Sequence, residues 1–131
     1  MFVDASAWTA LLLEEPEAES FREKLADAVE VMTSAIANWE TVRAVSRQTT
    51  GGAEAAAFKL GILQSLAGAR VVSIGRPEQI IALQAHTRFG KGAHPAKLNM
   101  GDCFAYACAR TNGAPLLFKG DDFALTDIEP A

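Results

Sequence analysis

Cysteine and histidine are scarce in this chain, which contains two of each among 131 residues. Cys103 and Cys108 lie in one apolar run that reads as a helix, and no histidine stands at ligand spacing on the same element. The pattern therefore favours two reduced thiols buried in the core over a redox or zinc role.

Long apolar segments and a basic leader are also missing. No apolar run approaches the roughly 20 residues that a membrane-spanning helix needs, and Met1 leads directly into a predicted strand. A disordered chain is excluded because half of the residues are apolar. We expect a cytoplasmic protein, with residues 1–131 forming a single domain that does not enter the membrane.

An excess of basic charge is absent as well, since the formal net charge is −4. Sequence-independent binding to a polyanion needs clustered Lys and Arg, so the overall charge argues against it. The segment from His86 to Lys97 differs, because it carries basic residues interleaved with glycines and no acid. Two interpretations of this basic loop stay open: a solvated loop, or a loop that follows a phosphate backbone.

Apolar runs and amphipathic segments alternate along the chain. Strands are predicted over residues 1–4, 29–33, 71–74, 115–118 and 125–128. Helices are predicted over residues 6–15, 16–28, 34–50, 53–66, 77–87 and from 99 or 101 to 110. Strands separated by helices indicate an α/β fold, with a mostly parallel sheet covered on both faces and ligands bound beyond the carboxyl ends of the strands.

Four acids stand where the chain turns or where a helix runs past that edge of the sheet. Asp4 and Asp122 lie at or just beyond the ends of two predicted strands, and Asp102 falls in the first turn of a helix. Each also has a plain structural explanation: Asp102 could cap its helix, and Glu40 could pair with Arg43 one turn away. We favour one shared site over a set of unrelated structural roles.

A cluster of carboxylates needs compensation. Carboxylates within a few Å of one another repel, so the cluster destabilises the fold unless protons or metal ions enter it. Ligand sets made of oxygen atoms favour Mg²⁺ or Mn²⁺. The residue pattern therefore predicts a divalent-metal hydrolase.

Three segments carry a family resemblance that covers essentially the full chain, with the segments in the right order and at the right spacing. They are MFVDASA at residues 1–7, GKGAHPAKLNMGDC at 90–103 and LLFKGDDF at 116–123. These segments resemble the PIN-domain ribonuclease toxins of bacterial type II toxin–antitoxin modules, the VapC group.

The resemblance implies a PIN-like three-layer α/β/α domain with about five mostly parallel strands. It further implies an acidic groove at the carboxyl edge, Mg²⁺ or Mn²⁺ bound there, and endonucleolytic cleavage of RNA. By position, Asp4 and Asp102 match the central metal ligands of the family and Glu40 its helix-borne acid. Of the adjacent Asp121 and Asp122, we assign Asp122 to the last acidic position.

The chain departs from the family pattern directly after Asp4. The family often carries a hydroxyl residue there, whereas this chain has Ala5. Ser6 is then the residue left to orient the Asp4 carboxylate.

Contacts with the RNA backbone are assigned to three basic residues, Arg43, Lys91 and Lys119. Trp39 or Trp8 could offer a stacking surface for bases, although a tryptophan in an amphipathic helix is more often part of the core.

A toxin of this kind requires an antitoxin that holds it inactive. An antitoxin tail could place an Arg among the four acids, satisfying them in place of metal. We expect the apolar surface for partner helices on the first two helices, and a homodimer by resemblance. The residues expected on that surface are Trp8, Leu11, Leu12 and Phe21.

Two other functions remain open from the sequence. A phosphatase of the haloacid-dehalogenase class also places an Asp after its first strand, but it needs a second Asp two residues later, where this chain has Ser6. A PIN-like scaffold that binds a partner without turnover is the non-enzymatic alternative, which the intact acidic set disfavours.

Overall fold

The computed structural model describes all 131 residues. Six α-helices surround four short strands. In chain order the elements are β1 (Phe2–Val3), α1 (Ala5–Leu12), α2 (Ala18–Asp27), β2 (Met32–Ser34), α3 (Ala35–Gln48), α4 (Gly52–Leu66), β3 (Arg70–Val72), α5 (Arg76–Phe89), α6 (Met100–Thr111), β4 (Leu116–Leu117) and a 3₁₀ turn (Phe123–Leu125). None of the helices combines the length and the apolar character needed to cross a membrane.

The four strands form one parallel sheet in the order β3-β2-β1-β4. Phe2 of β1 pairs with Met32 of β2 on one side and with Leu116 of β4 on the other. Because all strands run the same way, their carboxyl ends meet at one edge, and Asp4 stands at the middle of that edge.

Helices cover both faces of the sheet, as the sequence predicts for an α/β fold. Successive strand residues point to opposite faces: Phe2 and Leu116 belong to the core shared with α5 and α6. Val3 and Leu117 belong to the core shared with α1, α2 and α4. The three-layer α/β/α prediction is therefore confirmed.

Cys103 and Cys108 are buried on α6 and unpaired, as predicted. Burial raises the pKa of Cys103 to about 11 and that of Cys108 to about 12. Both groups stay neutral thiols near pH 7, where they pack as small apolar side chains.

The prediction of a fifth strand over residues 125–128 is wrong. Residues Phe123–Leu125 form the 3₁₀ turn, and the chain meets β4 only later, through a single bridge between Leu116 and Pro130. Leu116 N–H donates to Glu129 O at 2.8 Å. Ala131 N–H donates to Leu116 O at 2.9 Å, so the two hydrogen bonds of this single bridge flank Pro130.

The residues expected to offer an apolar surface for a partner on the first two helices do not offer it. Trp8, Leu11 and Phe21 are buried in the core, and Leu12 is half-buried. Apolar side chains instead line a cavity of about 390 Å³ between α2 and α4. Its lining consists of Arg22, Leu25, Ala26, Ala28, Leu63, Leu66 and Ala67.

A buried hydrogen-bond relay ties α1 to the sheet. The indole Nε1–H of Trp8, which is fully buried, donates to Thr33 Oγ1 at 3.1 Å. The Thr33 hydroxyl in turn donates to Val3 O at 3.2 Å. A buried indole N–H must be paired, so this relay fixes how α1 leaves β1 immediately after Asp4.

Replacing Thr33 by valine tests the relay. Thr33→Val keeps the shape of the side chain but leaves the Trp8 N–H unsatisfied, which costs about 1–3 kcal/mol. We expect a lower melting temperature than for Thr87→Val, which removes an exposed hydroxyl bonded to Leu83 O. Thermal denaturation followed by circular dichroism measures both. Equal melting temperatures for the two variants would show that the relay contributes nothing.

Candidate active site

A groove of about 380 Å³ opens at the carboxyl edge of the sheet. Side chains from α1, α3, α6 and the segments after α1 and β4 contribute to it. The lining residues of this acidic groove are Asp4, Ala5, Ser6, Thr9, Glu15, Glu40, Ala44, Asn99, Asp102 and Lys119. Three of the four predicted site acids therefore share one groove, although they are far apart in sequence.

A slightly larger cavity of about 430 Å³ lies between α5 and α6. It is mainly apolar and contains no carboxylate, so acid-dependent chemistry belongs to the acidic groove. Asn99 borders both cavities, and Lys91, which the sequence assigns to RNA contacts, lies at this second one.

Asp4 caps the start of α1 with a carboxylate that is only 4% exposed. Its Oδ2 accepts from Ser6 N–H at 2.9 Å and from Ser6 Oγ–H at 2.5 Å. Ser6 Oγ also accepts from Lys119 N–H at 3.0 Å, which joins this turn to the segment after β4. Ser6 orients Asp4 as the sequence predicts.

Burial raises the pKa of Asp4 above its ordinary value, because desolvation disfavours the charged form. The hydrogen bonds from Ser6 and the backbone of Ala5 act in the opposite direction without cancelling the effect.

Asp102 stands in the first turn of α6 and takes part in a reciprocal cap with Asn99. Its Oδ2 accepts from Asn99 N–H at 2.7 Å, while its own N–H donates to Asn99 Oδ1 at 3.1 Å. The capping interpretation is thus correct, but it engages only one carboxylate oxygen. Oδ1 makes no hydrogen bond within the chain and can bind something else.

Burial raises the pKa of Asp102 to about 6, although the Asn99 N–H opposes the shift. The charges of Asp4 and Asp122 raise it further, which shows that both acids lie within electrostatic reach.

Glu40 projects from the middle of α3 onto the first turn of α6. Its carboxylate lies so close to Gly101 that a Cβ on that residue would collide with both carboxylate oxygens. Burial raises the pKa of Glu40 to about 7, with further increases from the charges of Asp4 and Asp102. Arg43 lowers that pKa only in part.

The alternative of an ion pair between Glu40 and Arg43 is wrong. The Arg43 guanidinium instead lies over the ring of Trp39, 5.2 Å from its centroid. Glu40 is left free to turn towards Asp4 and Asp102.

Asp122 stands apart from the other three acids. It is exposed, precedes the 3₁₀ turn and does not line the acidic groove. Its effect on Asp102 nevertheless places it near the rim, whereas Asp121 is exposed without such an effect.

Sequence reasoning missed two parts of the groove. Lys119 Nζ lies 2.7 Å from Glu15 and 3.1 Å from Glu17, and the segment between α1 and α2 thus contributes one further acid, Glu15, to the groove. No sequence signal marked this contact, which joins residues more than 100 positions apart. Asn99 had a signal, because Asn followed three residues later by an acid is typical of a capping box.

The donor set suits a hard divalent cation. Asp4, Glu40, Asp102 and Asp122 offer only oxygen atoms. No three His, Cys, Asp or Glu side chains converge as a complete ligand set. Mg²⁺ does not require that, since it is commonly held by one or two carboxylates and keeps several waters. The raised pKa values mark an uncompensated negative charge that such an ion would offset.

Comparisons with known proteins give the family. The family model described as PIN domain matches residues 1–129. A Ribonuclease VapC of Mycolicibacterium smegmatis is 38% identical over 128 residues, covering 98% of this chain and 97% of the relative. A VapC ribonuclease of Rhizobium meliloti is 39% identical over 140 residues, covering 97% of this chain and 98% of the relative.

A solved structure agrees in fold. Mycobacterium tuberculosis VapC20, described as a toxin that cleaves the sarcin-ricin loop, superposes with a TM-score of 0.77 at 20% identity. The match covers 99% of this chain and 97% of that one. This chain is a member of the PIN-domain family and, within it, of the VapC group.

Proposed function

We propose that the protein is a metal-dependent endoribonuclease and the toxin of a type II toxin–antitoxin module, acting in the cytoplasm. One observation carries the proposal: three distant acids, Asp4, Glu40 and Asp102, meet in one groove where their pKa values are raised. Relatives called VapC ribonucleases, matching nearly the whole chain, support RNA as the substrate.

Mg²⁺ or Mn²⁺ would be held by Asp4 and Asp102, with Glu40 and Asp122 as further acidic groups. When bound, the ion activates water as a nucleophile and offsets the charge of the scissile phosphate. Ser6 fixes the orientation of Asp4, and Asn99 fixes that of Asp102. Water adds to phosphorus and the bond to the 3′ oxygen breaks, which leaves 5′-phosphate and 3′-hydroxyl ends.

Arg43, Lys91 and Lys119 are proposed to contact RNA phosphates. Arg43 and Lys91 are exposed and form no ion pair, so both are available to an anion. Lys119 would first have to leave Glu15 and Glu17.

The antitoxin is proposed to insert an Arg among the site acids, where a guanidinium would replace the metal charge. Its apolar segment would use the cavity between α2 and α4 rather than the surface predicted at Trp8, Leu11, Leu12 and Phe21 of the first two helices. A homodimer is proposed by analogy with the family alone.

The phosphatase alternative is not supported. Position 6, where that class carries its second acid, is a serine whose hydroxyl bonds to Asp4. The PIN family match also covers nearly the whole chain. A scaffold without turnover is separated from the proposed enzyme by the experiment below.

Removing one metal ligand tests the activity. Asp4→Asn and Asp102→Asn keep the size of the side chain but weaken ion binding, so each should abolish Mg²⁺-dependent cleavage of a labelled single-stranded RNA. EDTA should abolish RNA cleavage by the native protein. Asp27→Asn, which changes an exposed acid at the end of α2, should cleave normally. Native activity in either site variant, or none in the native protein with metal, would contradict the proposal.

Gly101 provides a test of the Glu40 position. Gly101→Ala forces the Glu40 carboxylate away from α6, whereas Ala is tolerated in the helix itself. A displacement of about 1 Å can cost about a hundredfold in rate, so RNA cleavage should fall while the melting temperature is retained. Gly61→Ala on α4 is the matched control, because a Cβ there meets no atom. Equal cleavage rates for both variants would show that the position of Glu40 is unimportant.

The raised pKa values predict how stability depends on pH without metal. Folding raises the pKa of Glu40 from 4.5 to about 7 and that of Asp102 from 3.8 to about 6. The folded state thus binds more protons between these values, and stability is lost as pH rises through them.

We expect the melting temperature in EDTA to fall between about pH 5 and about pH 8, and Mg²⁺ to restore part of it at the higher pH. Glu40→Gln should flatten the decline in EDTA, and Glu23→Gln, an exposed change on α2, should not. Differential scanning fluorimetry at both pH values gives the comparison. If the melting temperature of Glu40→Gln declines with pH as steeply as that of the native protein, Glu40 does not cause the decline.

A further inference from the structure

An indole faces solvent on α3, next to the acidic groove. Trp39 is 60% exposed, whereas Trp8, the other tryptophan of the chain, is fully buried. The buried stripe of α3 consists of Ala37, Thr41 and Val45. Trp39 lies off that stripe, so the core does not account for it.

Arg43 accompanies Trp39 on the same side of the helix. Residues four apart on a helix are neighbours, and the guanidinium carbon lies 5.2 Å from the ring centroid. Arg43 forms no ion pair, although the protein has a net charge of −4. The pair thus presents an aromatic face and an unpaired positive charge together.

The pair adjoins the acidic groove without lining it. Glu40, the residue after Trp39, places its carboxylate against Gly101, and Ala44, the residue after Arg43, lines the groove. Arg43 is also close enough to lower the pKa of Glu40. If a polymeric substrate binds with the bond to be cleaved near Asp4 and Asp102, a neighbouring monomer of that substrate would lie over Trp39 and Arg43.

Single-stranded RNA matches both chemical features. Every base has a π-face that can stack on an indole, and each nucleotide carries a phosphate that attracts Arg. Unpaired bases are needed, because those of a duplex are already stacked. A protein partner could use an exposed Trp, but the free guanidinium beside the catalytic acids favours an anionic polymer.

We propose that Trp39 and Arg43 form a stacking platform that binds one unpaired nucleobase, with its phosphate, beside the bond that is cleaved. This inference rests on the proposed ribonuclease function and adds a base-binding subsite to it. The subsite selects unpaired over paired RNA and tolerates different bases.

Cleavage kinetics provide the first test, on a single-stranded RNA oligonucleotide that spans a site mapped by sequencing the ends of RNA cut by the native protein. Trp39→Ala should lower kcat/KM by about 5- to 100-fold, the range for one lost base–aromatic stack. Trp39→Phe should retain most of the activity. Phe58→Ala, which removes a 71% exposed aromatic from α4, should behave like the native protein.

An abasic scan separates stacking from a general defect. Removing the one base that stacks on Trp39 should slow native cleavage, but should cause no further loss in Trp39→Ala. Losses that add at every position would overturn the proposal. A native kcat/KM for Trp39→Ala would also overturn it. So would a Trp39→Ala protein that differs from native only in its neutralisation by antitoxin, because Trp39 would then be a contact for a protein.

Binding without cleavage keeps the two proposals distinguishable. In an Asp4→Asn background with Mg²⁺, a mixed-sequence single-stranded RNA oligonucleotide, chosen without reference to any cleavage site, should quench tryptophan fluorescence. Trp39→Phe should remove that quenching because Trp8 is buried. If the native protein cleaves no RNA, the proposed function fails, and the quenching still decides on the platform. Quenching that survives Trp39→Phe would overturn the platform.

Discussion

The burial of Asp4 is the constraint on which the site depends. A carboxylate that is 4% exposed at the end of the central strand is costly, and Ser6 and the start of α1 offset only part of that cost. The fold then adds Asp102 and Glu40, whose charges act on one another and on Asp4. The groove therefore holds more negative charge than its own donors can satisfy, and a cation becomes the most direct means of compensation.

Helix ends, rather than loops, set this arrangement. α1 begins on Asp4, and α6 begins on the reciprocal cap between Asn99 and Asp102. α3 then passes so close to α6 that only glycine at position 101 leaves room for the Glu40 carboxylate. Asp4 and Asp102 accept hydrogen bonds from backbone that also begins a helix, so the positions of these two carboxylates are fixed with the helix starts.

The sequence predicted what local patterns encode. The positions of Asp4, directly after a strand, and of Asp102, in the first turn of α6, could be predicted, because parallel strands end at one edge of the sheet. The sequence did not predict which side chains meet across the fold. Periodicity places Trp8 and Trp39 alike on amphipathic helices, yet only Trp8 is buried. Spacing likewise suggested an ion pair for Arg43, but Trp39 competes for its guanidinium. The fifth strand failed because the chain turns in a 3₁₀ turn over Phe123–Leu125 and reaches β4 only at Pro130.

The same competition links the two parts of the proposed function. Were Arg43 paired with Glu40, the groove would lose part of its negative charge and the indole would lose its cation. Arg43 lies over Trp39 and lowers the Glu40 pKa only in part, so that pKa, raised first by burial and then by the charges of Asp4 and Asp102, stays near 7. A metal ion and an Arg from an antitoxin would relieve the same excess of negative charge at the same oxygens. On the proposed function the two would therefore compete for the groove, and inhibition would follow from the electrostatics that activity requires.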